Sequence, residues 1–222
     1  MNLTNAPIIF IDAGHGGFDP QQQQYTTFGK RADHVGLTLH QKSMYFEGVG
    51  NRIAAHYLAA FCLESGIIPI TIYHHFVDTP LSQRIKTVND YYSTLNATQK
   101  KRACLVSLHS DAAASPKANG AAVFTTLEET KSDALATAIY EQFKVLPTIF
   151  KGFNLRSDFG DVTNDPDFES DFAIIKQTKC TAVLIERAFH TNRNDVQLLV
   201  NPAFNKAAMF AVAKAVYAFI NT

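Results

Sequence analysis

The sequence predicts an α/β fold, a three-layer sandwich with a mostly parallel central sheet flanked by helices. Two observations predict it. Short apolar runs recur along the chain, each closed by a polar residue or a turn, as buried strands are. Between them lie stretches whose apolar residues recur every three or four positions, the period of an amphipathic helix. Strands alternating with helices build a parallel sheet with a helical layer on each face.

The first run, Pro7–Asp12, is ended by the turn Ala13-Gly14-His15-Gly16-Gly17. Residues 18–43 are polar and aperiodic and read as a long loop or an irregular hairpin. From Tyr45 to Glu64, the positions Tyr45, Val49, Ile53, Tyr57, Ala60 and Phe61 predict an amphipathic helix. Ile67–Tyr73 reads as a second strand, with Pro69 near its start, where a missing N–H is tolerated. Pro80–Arg84 opens another helix, with Thr79 as its N-cap and Pro80 at the first helical position. Ala103–His109 and Gly120–Thr126 read as strands and Lys131–Phe143 as a helix. Thr181–Glu186 is another buried strand, and Phe204–Phe219 a closing helix. No repeat or linker-like run interrupts this order, so residues 1–222 read as one domain.

Composition narrows the function. A hydrophobic fraction of 46% with 11% aromatic residues excludes a disordered chain. Twenty Lys and Arg balance 20 Asp and Glu with no basic stripe, which argues against nucleic acid as a partner. Cys62, Cys104 and Cys180 are scattered, with no C-x-x-C pair, so neither a disulfide framework nor a zinc ribbon is expected. No run approaches ~18 consecutive apolar residues, so no membrane span is expected. The amino terminus lacks the basic and apolar regions of a signal peptide, which points to synthesis in the cytoplasm without a leader.

Three apolar runs lead into a chemically capable side chain: the first into His15, the third into His109, the last into Glu186. Ligands of open α/β sheets bind at the carboxyl ends of strands, so these three share one rim. His34, His40, His56, His74, His75 and His190 are the other six histidines and are decoys for the same reading. Glu47 opens the long helix, with Asn51 one turn later. Its carboxylate serves either the helix dipole or a metal. Two neutral imidazoles and one carboxylate leave a tetrahedral zinc with one position for water, whose pKa falls toward ~7. A further carboxylate would then take the water's proton, and Glu186 is placed for that. H-E-x-x-H and H-x-x-E-H are both absent, so any zinc ligands are dispersed.

These residues carry a family resemblance. Ile8–Gly17, I-I-F-I-D-A-G-H-G-G, resembles the opening strand and D-P-G-H-G-G turn of zinc-dependent N-acetylmuramoyl-L-alanine amidases of the Amidase_3 type. Glu47 to Asn51 is similar to that family's E-x-x-x-N helix start. Asp78-Thr79-Pro80-Leu81, followed by Arg84 and Asn89, resembles its D-x-T-x-x-L-x-x-R segment and the Asn beyond it. Ser107–Ala112 resembles its S-x-H-x-N/D-A strand end. Glu186 to Leu199 is similar to its closing E-x-x-F-x-S/T-N-x-x-D-x-x-L-L signature. The matches keep the family's order over nearly the whole chain.

The resemblance implies that His15, Glu47 and His109 bind Zn2+ and that Glu186 is the catalytic carboxylate. The implied reaction is hydrolysis of the amide between the lactyl group of N-acetylmuramic acid and L-alanine of peptidoglycan. It would act on the cell wall, on the periplasmic or extracellular side, as a phage endolysin does. Asn51 and Arg156 are the candidate substrate contacts, Arg156 as a partner for a stem-peptide carboxylate from a polar stretch over 151–172. That stretch, with Asp158, Asp161, Asp165, Asp167, Glu169 and Asp171, reads otherwise as a solvated loop. An activator protein is compatible with the sequence but leaves no mark in it. Two alternatives stay open: a zinc peptidase acting on the stem peptide, and a catalytically silent wall-binding relative, which has no use for Glu186. Ala13 and Gly48 depart from the family pattern, which commonly has proline and lysine there.

Overall fold

In the computed structural model, residues 3–38, 41–160 and 163–221 are described. After a 3-10 turn at Leu3–Asn5, β1 spans Ile8–Ala13. The stretch expected as a loop or irregular hairpin is two antiparallel pairs. One joins β2 (Phe18–Asp19) to β3 (Gln24–Tyr25), the other β4 (Arg31–Thr38) to β5 (Gln41–Phe46). Then follow α1 (Glu47–Glu64), β6 (Ile68–Thr71), α2 (Leu81–Thr94), α3 (Ala97–Lys101), β7 (Ala103–Asp111) and β8 (Ala122–Thr125). The chain closes with α4 (Lys131–Phe143), α5 (Leu146–Ile149), β9 (Phe168–Glu169), α6 (Ala173–Lys176), β10 (Thr181–Phe189), α7 (Arg193–Leu199) and α8 (Pro202–Ile220).

The central sheet has six strands in the order β6-β1-β7-β10-β8-β9. β6, β1, β7 and β10 are parallel, and β8 runs antiparallel to β10. Alternation along β1 sorts its side chains between two cores. Ile9 and Ile11 pack in the layer that contains Ala54, Leu58, Leu135, Ile139, Val212 and Val216 of α1, α4 and α8. Ile8 and Phe10 face Ile85, Val88, Ile174 and Ile175 of α2 and α6. The architecture is the three-layer α/β sandwich that the alternating pattern predicted. From β1 the chain goes to β6 on one side and then to β7 on the other. A crevice therefore opens between the ends of β1 and β7, where strand order reverses.

Two local expectations need correction. The buried face of α1 is Glu47, Gly50, Asn51, Ala54, Ala55, Leu58 and Cys62, whereas Ile53 is 49% exposed. Small residues let α1 lie close to the sheet and α8, while the larger Tyr57 and Phe61 pack only at the margin of the core. Thr79 does not cap α2: the N-cap is Pro80, and the Thr79 hydroxyl accepts the His74 N–H at 2.9 Å. All three cysteines are buried and free.

By length and composition alone, α8 is apolar enough to cross a membrane, with a mean hydropathy of 1.3. Its apolar residues are instead used inside the protein, where Phe204, Ala208, Met209, Val212 and Val216 are buried in the shared core.

Candidate active site

The crevice is built from three strand ends and one helix start. β1 continues past Ala13 as far as the Gly14 N–H, which donates to the Leu108 carbonyl at 3.0 Å. His15 then turns into the left-handed region with φ 66°, a conformation that few residues with a side chain adopt. The His15 loop is held from below by Arg84, only 3% exposed. Arg84 donates to the carbonyls of Ala13 at 2.7 Å and His15 at 3.0 Å, and to the carboxylates of Asp12 at 2.7 Å and Asp78 at 3.0 Å. Ser107 of β7 donates to the other Asp12 oxygen at 2.8 Å.

Glu47 is buried at the first position of α1. Its N–H donates to the Lys30 carbonyl at 3.0 Å, and the next N–H, of Gly48, donates to the Tyr25 hydroxyl at 2.9 Å. The hairpin region thus does the work of the missing side-chain cap. Gly48 cannot carry the family's lysine, because a Cβ there would stand 1.9 Å from the Gly16 carbonyl oxygen.

The three residues expected as ligands come together. Ligand atoms of His15, Glu47 and His109 all lie within 4.8 Å of one another. Glu47 Oε1 is 3.2 Å from His109 Nδ1 and accepts the Ser110 N–H at 3.2 Å. Glu47 Oε2 is 3.4 Å from His15 Nε2, an ion-pair contact, yet it has no hydrogen-bond partner. Burial alone would raise the Glu47 carboxyl, but the two imidazoles outweigh it and hold it well below the usual carboxylate range. The His109 imidazole is raised: burial opposes its charge, and Glu47 and Glu186 overcome that. Gly14 makes room for this ring, since a Cβ at Gly14 would meet His109 Cε1 at 2.0 Å. An orphaned carboxylate oxygen enclosed with two imidazoles is a donor set fit for a metal ion.

Glu186 lies beside the triad, its Cα paired in register with that of His109, and the β10–β7 ladder shifts register after it. It is partly exposed, while its Oε2 is enclosed without a hydrogen-bond partner. Burial pushes its carboxyl up to about 8, with the negative charges of Glu47 and Asp111 adding and the positive charges of His109 and Arg156 opposing. A carboxyl held near neutrality suits proton transfer in both directions.

The other expected residues are placed as follows. Arg156 donates to Asp111 at 2.8 Å and stacks over the rings of Phe189 at 4.6 Å and Phe168 at 5.5 Å. Asn51 is fully buried, donating to the Gly14 carbonyl at 3.2 Å and accepting from Arg187 at 2.8 Å. His190 is buried on Ser110 and takes no place among the triad. His40 and Asp161 lie outside the described residues. A cleft of about 510 Å3 opens beside His15 and His109, between the start of α2 at Thr79–Leu81 and the wall Phe172–Ile174. That wall, and the bracing roles of Tyr25 and Arg187, had no signal in the sequence. Four-residue α6 is too short to show a period, and the braces act across 23 and 136 positions.

The family model described as N-acetylmuramoyl-L-alanine amidase, Amidase_3, matches residues 9–218. No curated protein sequence matches the chain. Among solved structures, the amidase AmiC2 of Nostoc punctiforme is similar with a TM-score of 0.71 at 16% identity, covering 97% of this chain and 98% of that one. The CwlD amidase of Clostridioides difficile, solved in complex with the GerS lipoprotein, gives 0.65 at 19% identity over 97% and 98%. The catalytic domain of the CD27L endolysin targeting Clostridia difficile gives 0.61 at 21% identity over 95% and 96%. With a matching fold, a His–Glu–His group at the strand-reversal crevice and a family model spanning nearly its whole length, this chain belongs to the Amidase_3 family of N-acetylmuramoyl-L-alanine amidases.

Proposed function

We propose that this chain is one catalytic domain in which His15, Glu47 and His109 hold a zinc ion and Glu186 carries the proton during hydrolysis of the amide joining N-acetylmuramic acid to L-alanine. The observation that carries this reading is the convergence of the three ligand atoms within 4.8 Å, with Glu186 in register beside His109. Zinc bound there supplies Lewis acidity toward water and the scissile carbonyl. Glu186 accepts the proton of the attacking water, and its raised affinity for protons retains it until the L-alanine nitrogen departs as the amine. The glycan side keeps the lactyl group as a carboxylate.

The stem peptide fits the cleft between Thr79–Leu81 and Phe172–Ile174, which leads directly to His15 and His109. Arg156, a quarter exposed, retains N–H donors beyond the one given to Asp111 and is the proposed partner of a stem-peptide carboxylate. Asn51 is better read as a brace than as a substrate contact, because Gly14 and Arg187 take up its amide inside the fold. The likeness to an endolysin catalytic domain supports lytic action on the wall from its periplasmic or extracellular side. The complex of the similar CwlD amidase with GerS supports including a protein partner in the test.

The test is digestion of a soluble muramyl-pentapeptide by zinc-loaded protein, with mass spectrometry of the products. The expected products are a free muramic acid carboxylate and a peptide with an L-alanine amino terminus. Cleavage between two stem residues would overturn the amidase assignment in favour of a peptidase. Binding to wall material with no cleavage, alone or with a partner from the same cell, would overturn it in favour of a wall-binding protein.

A further inference from the structure

A second group of metal-capable side chains lies away from the active-site rim. β8 runs antiparallel to β10, so its end at Thr125 points away from the end of β10 that carries Glu186. Next to Thr125, carboxylate oxygens of Asp133, Asp165 and Asp167 all lie within 4.8 Å of one another. Asp133 comes from the first turn of α4, the other two from the segment before β9.

The fold supports parts of these side chains and leaves the rest unanswered. Asp133 Oδ2 accepts the Thr130 N–H at 2.6 Å and hydroxyl at 3.0 Å, closing a capping box. The Thr125 hydroxyl donates to Asp167 Oδ2. Asp167 is 0% exposed, and its Oδ1 is enclosed with no hydrogen-bond partner; Oδ1 of Asp165 is likewise enclosed and unpartnered. Among the described residues, no Lys or Arg forms an ion pair with any of the three. Two buried carboxylates and a half-buried third, packed this closely, resist carrying three charges without a counter-charge. Burial and the neighbouring Asp165 and Asp133 push the Asp167 carboxyl up to about 7, against the Thr125 hydrogen bond. One proton answers part of this charge. A cation held among the three carboxylates answers more of it.

We propose that Asp133, Asp165 and Asp167 form a site for a hard divalent cation of the Ca2+ class, separate from the His15–Glu47–His109 group. All its donors are oxygens, the set that Ca2+ and Mg2+ take and that discriminates against softer metals. Its structural consequence is local. The ion fastens the segment whose Asp158 N–H donates to the Pro166 carbonyl, and which ends in Phe168, whose ring faces the Arg156 guanidinium. Ion binding here thus steadies Phe168, against whose ring Arg156 packs.

The test is titration of CaCl2 into zinc-loaded protein dialysed free of calcium and magnesium, followed by calorimetry and thermal unfolding. One ion per chain is expected, with Tm rising by several degrees at millimolar Ca2+. The Asp165→Asn/Asp167→Asn double variant should be at least as stable as the cation-free protein yet show no calcium response. If that variant does not fold, Asp165→Asn alone should bind at least tenfold more weakly. His109→Ala should keep the full calcium response, which separates this site from the histidine group. A response to MgCl2 in place of CaCl2 supports the site with the smaller ion. No heat and no Tm shift with either ion, or a shift that persists in the double variant, would overturn the proposal and leave a shared proton in its place.

Discussion

Glu186 and His109 face each other across the parallel β10–β7 ladder, and the next register partners, Phe189 and Asp111, are already shifted. Such a bulge re-aims side chains at a strand end, and here it falls where Glu186 joins the triad. Burial beside Glu47 and Asp111 raises Glu186, and this has a consequence for stability. A carboxyl raised from 4.5 in the unfolded chain to about 8 in the folded one keeps its proton in the native state across that window, so stability falls as pH climbs through it. In metal-stripped protein, Glu186→Gln should therefore gain on the parent by several degrees in Tm as pH rises from about 4.5 to about 8, then level off. Parallel Tm–pH profiles for the two proteins would remove the raised carboxyl from the account.

Gly14 is fixed by the His109 ring. A Cβ 2.0 Å from Cε1 leaves either the β1 end or the imidazole to move. Gly14→Ala should leave the two cores intact while lowering zinc affinity by about 10–100-fold, the range seen when a ligand's support is disturbed. Competition with a chromogenic chelator measures it, and unchanged affinity would mean that His109 is not a ligand in the geometry described.

Arg84 links Asp12, Asp78 and the carbonyls of Ala13 and His15 from a position 3% exposed. Arg84→Met strands the Asp12 carboxylate in the core and should cost about 3–5 kcal/mol of stability. Denaturant unfolding reads this directly. The Asp12→Asn/Arg84→Met pair should recover part of the loss, because the unpaired charge is then gone. Additive losses would show that the two side chains do not act together.

His15, His109 and Glu186 were legible in the sequence because an apolar run ending in one reactive side chain marks a strand end, and parallel strand ends share a rim. Glu47 was not legible in the same way: at a helix start a carboxylate has an electrostatic use of its own, and only the resemblance favoured a metal. Arg84 and Asp12 stand 72 positions apart, so no local pattern announces their ion pair. The buried face of α1 differs from the one its periodicity predicts: Ile53 and Val49 have the character of core residues, while the close contact with the sheet and α8 selects Gly50, Ala54 and Ala55. Asp165 and Asp167 read in the sequence as part of an acidic loop, because their packing beside β8 and α4 has no local pattern.

The most direct test of the central claim is to measure zinc content and turnover of purified peptidoglycan in the parent, Glu186→Ala and His109→Ala proteins side by side. The parent and Glu186→Ala should each hold one zinc, with turnover in Glu186→Ala lower by about 10²–10⁴-fold, while His109→Ala should lose both metal and activity. Stoichiometric zinc in His109→Ala, or undiminished turnover in Glu186→Ala, would contradict the division of labour between a metal-holding triad and a separate proton carrier.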